Sequence, residues 1–306
     1  MRKFIISDLH GNGNVYNSIM SYLENINKEE DVTLYINGDL IDRGPDSAQM
    51  LLDVIEKSKT GPFKIVYLAG NHELLMYDSI GDWIKTNKYD PFDNWHENGG
   101  WVTDYNLQEI LDNKGKLYDI YEYISNLKIY HKFKEKVCDK QIVLVHAACP
   151  STIKDECDIR IKDKNEEIVS TLFARNIPNY FPFRTRIGND KYFSIIGHTP
   201  NKNDYGFEYN DKENILNIDG GSSNYVSGYF DQDHVPLVEV KDNELEILTF
   251  NNNNSIIFGN YLRNGLVIPM KEDELNTRRS YLNKNIKIKR LVKDENNMVL
   301  YEDDFK

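Results

Sequence analysis

Cysteine is scarce in this chain of 306 residues: there are three, Cys138, Cys149 and Cys157, with no Cys-x-x-Cys spacing among them. An odd, scattered set argues against a disulfide framework and against a zinc knuckle, and reads as reduced thiols. Long apolar runs are also missing. Nothing approaches the ~20 residues that a helical bilayer crossing takes, so no membrane partner is expected. Basic residues are outnumbered, 37 against 49 acidic ones, and the net charge of −12 disfavours nonspecific attraction to nucleic-acid phosphates or an anionic membrane. That balance still leaves room for a local positive site. What is present, 40% hydrophobic and 28% charged residues, fits a globular chain with one large domain, a substantial core and a small appendage.

Apolar runs predict strands at about 3–7, 32–37 and 64–69, each followed by a helical pattern: near 13–26, from Pro45, and from His72. This is β-α repetition with polar residues where each strand stops, and in open α/β sheets such strand ends are where ligands gather. Helical patterns with an acidic, tyrosine-rich face occupy roughly 103–127. The chain then turns strand-rich, at 141–145, 192–196, 215–218, 235–240 and 245–250, which predicts a mixed or antiparallel sheet in the second half. Because a strand starts at Lys3 and the first candidate ligand is Asp8, a removable signal peptide would take part of the site with it. A cytoplasmic location is the expectation.

Five polar segments follow these apolar runs: Asp8-Leu9-His10-Gly11, Gly38-Asp39-Leu40-Ile41-Asp42-Arg43-Gly44, Gly70-Asn71-His72-Glu73, His146, and Gly197-His198-Thr199-Pro200. Alone, each has a bland reading as a turn, a helix cap or a satisfied core histidine. Their order and placement argue for a shared metal centre. Asp8 and His10 are two residues apart, so at a strand end both side chains project to one face while Leu9 packs away. The Asp39 carboxylate has two oxygens and suits a bridge between two cations. Asn71 offers an amide oxygen, and His146 and His198 offer imidazoles. Such oxygen and nitrogen donors, with no thiolate, suit manganese, iron or zinc more than a closed structural zinc site. Two divalent ions bring four positive charges; Asp8, Asp39 and a bridging hydroxide remove three, and the one left over favours a phosphate dianion. Ions roughly 3.5–4 Å apart lower the pKa of a bridging water and clamp phosphoryl oxygens during in-line displacement.

The ordered set resembles the phosphoprotein phosphatase branch of the metallophosphoesterases, over roughly residues 3–250. The stretch Trp95-His96-Glu97-Asn98-Gly99-Gly100-Trp101-Val102-Thr103, and Ile218-Asp219-Gly220-Gly221, look most like bacterial and phage members such as the phage lambda protein phosphatase. This resemblance implies an α/β fold with a central β-sandwich of mixed sheets flanked by helices, the site lying at the strand C-terminal ends. It implies a catalytic domain over 1–250 and leaves 251–306 as a strand-containing C-terminal extension. Asp8, His10 and Asp39 would hold one ion, and Asp39, Asn71, His146 and His198 the other. His72 would protonate the leaving oxygen, oriented by Asp42. Arg43 would bind phosphoryl oxygens with the guanidinium fork, with Asn71 alongside. A second arginine is expected between His146 and His198; Arg175 fits best because an aromatic residue shortly precedes it, with Arg184 and Arg186 as competitors.

The activity so implied is phosphomonoester hydrolysis by a manganese-dependent serine/threonine protein phosphatase, with a phosphorylated protein or peptide as partner. A symmetrical dinucleoside tetraphosphatase is the alternative; such relatives tend to depart from the Asp-Arg-Gly and Asn-His-Glu spelling retained here. An inactive phosphopeptide-binding module is the reading from another class, and it requires a defect in a ligand set that looks complete. Glu73 reads as a first-turn helix residue facing the macrodipole, Gly99-Gly100 and Gly220-Gly221 as loop-shaping turns, and His96, His131 and His234 as structural or exposed. The stretch 278–293, basic and without acidic residues, reads as a solvated edge strand guarded by lysines.

Overall fold

Three β-α units begin the chain, as the periodicity predicts. A computed structural model describes all residues except 111–113, 156, 176–187, 202, 230–233, 283–288, 294–298 and 304–306. In it β1 (Arg2–Ile6), α1 (Gly13–Asn27), β2 (Val32–Asn37), α2 (Ser47–Thr60), β3 (Lys64–Leu68) and α3 (Asn71–Thr86) follow one another. The strands pair in parallel, Phe4 opposite Leu34 and Leu34 opposite Ile65. Strand alternation sends Ile5 to one face and Phe4 and Ile6 to the other, and all three are buried, so both faces of this sheet are covered. The Asn12 side chain accepts from the Val15 N–H to start α1, whose Val15, Ile19, Leu23 and Ile26 form one buried stripe.

One π-helical turn, His96–Gly100, leads into α4 (Trp101–Ile110), and α5 (Lys114–Ser125) follows, so the stretch read as helical holds two helices. A second sheet is then built from β4 (Tyr130–Val137), β5 (Lys140–Val145), β6 (Tyr192–Ile196), β7 (Glu208–Asn210) and β8 (Ile215–Asn217). Its order is β4-β5-β6-β8-β7, parallel within β5-β6-β8 and antiparallel at both edges. Two short helices, α6 (Glu166–Phe173) and α7 (Ser222–Val226), lie between and after these strands.

The chain then returns to the first sheet with β9 (Val235–Lys241), β10 (Glu244–Asn251), β11 (Ser255–Arg263) and β12 (Leu266–Pro269). The full order is β12-β11-β10-β9-β1-β2-β3, so this sheet is also mixed. The asparagine tract 251–254 is the turn between β10 and β11, and the sheet runs past residue 250 to Pro269. Helix α8 (Glu272–Arg279) lies against β11. The terminal strands β13 (Lys289–Lys293) and β14 (Val299–Asp303) pair only with each other among the described residues, and most of the alternation read at 286–289 falls outside them.

Ile5, Val238, Ile247 and Leu262 from the seven-stranded sheet meet Phe133, Leu144, Phe193, Ile195 and Leu216 from the five-stranded one in a single buried cluster. The two sheets are therefore stacked as a sandwich. On the outer side of the first sheet, Phe4, Ile6, Leu34 and Ile36 pack with Val15, Ile19, Leu51 and Val54 of the helices. Each such side chain, fully buried, contributes about 1.5–3 kcal/mol. No helix among the described residues is long and apolar enough to cross a membrane. The C-terminal ends of β1, β2, β3, β5 and β6 point the five polar segments at one place.

Candidate metal centre and phosphate pocket

The loops after β1 and β2 are laced together by their backbones. The N–H groups of Asp8, His10 and Gly11 donate to the carbonyls of Gly38, Asp39 and Leu40, at 3.2, 3.0 and 2.9 Å. After β6, Gly197 N–H donates to the His146 carbonyl at 2.8 Å, and a Cβ at Gly197 would run into the Asp8 carboxylate. Asp8, His10, Asp39, Asp42, Arg43 and His198 all adopt φ between 46° and 73°. For non-glycine residues this left-handed backbone costs of order 1–3 kcal/mol each and persists only where the surroundings enforce it. Six of the ten residues singled out in the sequence share it.

Asp39 is the centre of the cluster. Its Oδ2 lies 3.3 Å from His146 Nε2, 3.5 Å from His10 Nε2 and 4.0 Å from His72 Nε2. Two buried groups of convergent donors share it: His10, Asp39 and His72, and Asp39, His146 and His198. Asn71 joins the second, its Oδ1 lying 3.0 Å from His146 Nε2 and 2.8 Å from His198 Nδ1. Asp8 is adjacent but in neither group; its carboxylate accepts from Ser7 Oγ and from the His198 N–H.

These atoms fit divalent ions. His146 Nδ1 lies 2.8 Å from the Asn37 carbonyl and His10 Nδ1 lies 3.0 Å from that of Ile41, so in both rings Nδ1–H is the donor and Nε2 is left to face the cluster. At His146 that Nε2 is set against two acceptors, Asp39 Oδ2 and Asn71 Oδ1. A lone pair there is repelled; the position calls for a cation, either a proton or a metal ion. Burial opposes charge on both partners, yet their mutual attraction holds Asp39 well below the usual carboxylate range and pushes His146 up to about 10. Burial and His146 press His198 down to about 2, and burial with Arg43 keeps His10 neutral. Neutral imidazoles at His10 and His198 beside a charged carboxylate are what metal binding requires, and at His146 an ion would take the place of the proton.

His72 and Asp42 form the pair that the sequence suggests. His72 Nδ1 lies 2.7 Å from Asp42 Oδ2. Arg43 reaches over both histidines of the first group, Nη1 at 3.4 Å from His10 Nε2 and Nη2 at 3.0 Å from His72 Nε2. On the far side, Arg175 Nε donates to His198 Nε2 at 3.1 Å. Arg184 and Arg186 lie outside the described residues. The two described arginines line a cavity of about 270 Å³ with His10, Asp39, His198 and Asp219.

Three residues that the sequence marks only as part of family-like stretches, without a site role, belong to this place. Asp219 is buried in the cavity wall, and burial, with the Asp39 charge close by, raises its carboxyl to about 6. Trp95 and Thr103 both donate to Asp42. Glu73 also differs from its reading as a first-turn residue facing the macrodipole. It does accept from the Gly70 N–H at 2.8 Å, but its carboxylate also takes the N–H groups of Asp39 and Leu40, at 2.8 and 3.1 Å, and the Tyr67 hydroxyl at 2.6 Å. It thus clamps the Asp39 loop onto the start of α3. His96 has the structural role among its two readings: Nδ1 meets Asp93 at 2.6 Å and Nε2 meets Asp104 at 3.0 Å, which fixes the π-helical turn against α4.

Removal of the clamp has a measurable cost. Glu73→Ala leaves three buried N–H groups without an acceptor, each costing about 1–3 kcal/mol, so urea unfolding should show a loss of at least about 2 kcal/mol. A loss under ~0.5 kcal/mol refutes the clamp. For His96, burial opposes the charged ring, but Asp104 and Asp93 outweigh it and raise the pKa above its ordinary value. A raised histidine pKa stabilises fully below the unfolded value of about 6.5, and that stabilisation fades as pH rises through the folded value. The stability difference between wild type and His96→Gln should therefore be greatest near about pH 5 and shrink toward about pH 9. A difference that grows with pH contradicts the assignment.

Residues 1–264 match the family model of the calcineurin-like phosphoesterases. A symmetrical bis(5'-nucleosyl)-tetraphosphatase of Proteus mirabilis is 34% identical over 98 residues, and the match spans 32% of this chain and 32% of that relative. Among solved structures, a serine/threonine phosphatase of Saccharomyces cerevisiae similar to human PP5 superposes with a TM-score of 0.54 at 15% identity, over 82% of this chain and 79% of the other. A cold-active protein-tyrosine phosphatase of a psychrophilic Shewanella gives 0.49 at 12% identity, over 88% and 80%. With the family model spanning most of its length and two buried donor groups sharing one carboxylate at its strand ends, the chain belongs to the calcineurin-like phosphoesterases, metal-dependent hydrolases of phosphoesters.

Proposed function

We propose that this chain is a phosphomonoesterase acting on phosphoserine and phosphothreonine in proteins or peptides. The observation that carries this reading is the buried His72–Asp42 pair, whose Nε2 lies 3.0 Å from Arg43 Nη2 and 4.0 Å from Asp39 Oδ2. An alkoxide leaves poorly, and a monoesterase that releases serine or threonine needs a proton donor at that oxygen. His72 supplies it from Nε2, while Asp42 accepts from Nδ1–H and fixes the ring. The cavity of about 270 Å³ has room for a phosphoryl group and the atoms next to it; the rest of a peptide lies outside.

Manganese is the first candidate metal, with iron or zinc as alternatives, Asp8, His10 and Asp39 holding one ion and Asp39, Asn71, His146 and His198 the other. When bound, two such ions lower the pKa of a water nucleophile and offset phosphoryl charge. Arg43 and Arg175, from opposite sides, bind the nonbridging oxygens; in the structure Arg43 lies against Nε2 of His10 and of His72, and Arg175 donates to His198 Nε2. Asn71 contributes its amide at the same place. The likeness to a tetraphosphatase over 98 residues supports a second reading, symmetrical cleavage of a dinucleoside tetraphosphate. The retained Asp42-Arg43-Gly44 and Asn71-His72-Glu73 favour the phosphatase.

Loaded with manganese, the protein should hydrolyse phosphoserine peptides with a kcat/KM at least about tenfold above that for diadenosine tetraphosphate, a difference of ~1.4 kcal/mol in transition-state binding. The reverse preference overturns the reading. His72→Asn should lower kcat for a phosphoserine peptide by about 10²- to 10⁴-fold with both metals retained; unchanged turnover removes His72 as the proton donor.

A further inference from the structure

The Asp42 carboxylate is fully buried, and its surroundings do more than accept one imidazole. Trp95 Nε1–H donates to both oxygens, at 2.9 Å to Oδ2 and 3.1 Å to Oδ1. Thr103 Oγ1–H donates to Oδ1 at 2.6 Å, and the Thr103 hydroxyl in turn accepts from the Asp42 N–H at 3.1 Å. Thr103 thus grips residue 42 by its backbone and its side chain together. Asp42 itself sits at φ 73°, a strained conformation that needs outside support. Both donors come from one unit, the π-helical turn and the start of α4. That unit is closed by the His96 bridges to Asp93 and Asp104 and meets the next residue of the site where Arg43 N–H donates to the Gly99 carbonyl at 3.1 Å.

We propose that Trp95 and Thr103 are positioning residues for proton transfer: they fix the plane of the Asp42 carboxylate so that Oδ2 holds His72 with Nε2 aimed at the leaving oxygen. A carboxylate has about four acceptor sites. Here the three side-chain donors, His72 from α3 and Trp95 and Thr103 from the unit of the π-helical turn and α4, leave the group no free rotation. Without the Thr103 hydroxyl, Oδ1 keeps only the longer branch of the bifurcated Trp95 bond, the backbone N–H of Asp42 loses its acceptor, and the carboxylate turns away from the imidazole. Among the described residues, neither side chain bonds to the candidate metal ligands or lines the cavity, so their effect passes through Asp42. The proposal rests on His72 being the general acid.

Leaving-group dependence tests it, because p-nitrophenolate departs without a proton whereas a serine alkoxide does not. Thr103→Val, of the same shape, should lower kcat for a phosphoserine peptide by roughly 10- to 100-fold, a part of what a general acid supplies, while p-nitrophenyl phosphate falls less than about threefold. KM should stay within about twofold for both. Thr103→Ser, which keeps the hydroxyl, should restore the peptide activity. Trp95→Phe removes the other donor and should show the same selectivity, which covers the case of a valine variant that folds poorly. Equal losses on the two substrates, or no loss on the peptide, overturn the proposal. His72→Asn serves as the reference: if it is selective and the Thr103 and Trp95 variants are not, only the positioning role falls; if it too loses both substrates equally, the general-acid reading falls and the positioning role with it.

Discussion

Asp39 carries a negative charge where water scarcely reaches. An isolated carboxylate in such a place costs far more than the 5–15 kcal/mol margin of a typical domain, so the surrounding structure has to supply positive charge and donors. Three imidazoles face one of its oxygens, and the other accepts from the His72 N–H at 3.1 Å. A single proton at His146 meets part of that demand; a pair of divalent ions would meet all of it and leave a surplus for an anion. With such ions bound, the candidate ligands and two arginines would make a locally positive pocket in a chain whose overall balance stays negative.

Holding those groups in place requires backbone that strands and helices do not supply. The strained φ values at Asp8, His10, Asp39, Asp42, Arg43 and His198 turn each strand end sharply enough to bring side chains from separate strands within 4 Å of one another. Inter-loop hydrogen bonds and the Glu73 clamp meet that cost. The arrangement is rigid for the same reason it is strained: each loop is fixed by its neighbour, and no one of them adopts its shape alone. Rigid, preorganised dipoles are what an anionic transition state needs.

Much of this was legible in the chain because ligand chemistry is local. Asn71 and His72 sit together at the first turn of α3, and residue type and spacing reveal such a pair; Asp8 and His10, two residues apart, lie past the end of β1 in left-handed backbone, and only His10 joins a donor group. The three parallel strands β1, β2 and β3 were also plain, since strands covered on both faces read as continuous apolar runs. Partners separated by long stretches of chain were not. Thr103 lies 61 positions beyond Asp42, and nothing in a threonine announces which carboxylate it serves. Glu73 was misread because its first-turn position explains one of its bonds and hides the others. β4 escaped notice because its exposed lysines and glutamate break the apolar pattern, and β11 because an asparagine tract precedes it and Gly259 interrupts it.

The site also depends on a contact that no active-site residue makes by itself. Asp39 and Asn71 follow strands of the seven-stranded sheet, while His146 and His198 follow strands of the five-stranded sheet. Asn37 joins the two at that point: its Nδ2 donates to the Val145 carbonyl at 3.1 Å, and its own carbonyl accepts from His146 Nδ1 at 2.8 Å. The separation of Asp39 from His146 is therefore set by how the sheets stack, and the stacking is set by the buried layer of Ile5, Val238 and Ile247 against Phe193, Ile195 and Leu216. Interiors packed at crystal density transmit a change of a methylene as a shift of neighbours. Candidate donors divided between two sheets keep their spacing only through the fit of that apolar layer, so the core of the sandwich is as much a determinant of the cluster as the residues that line it.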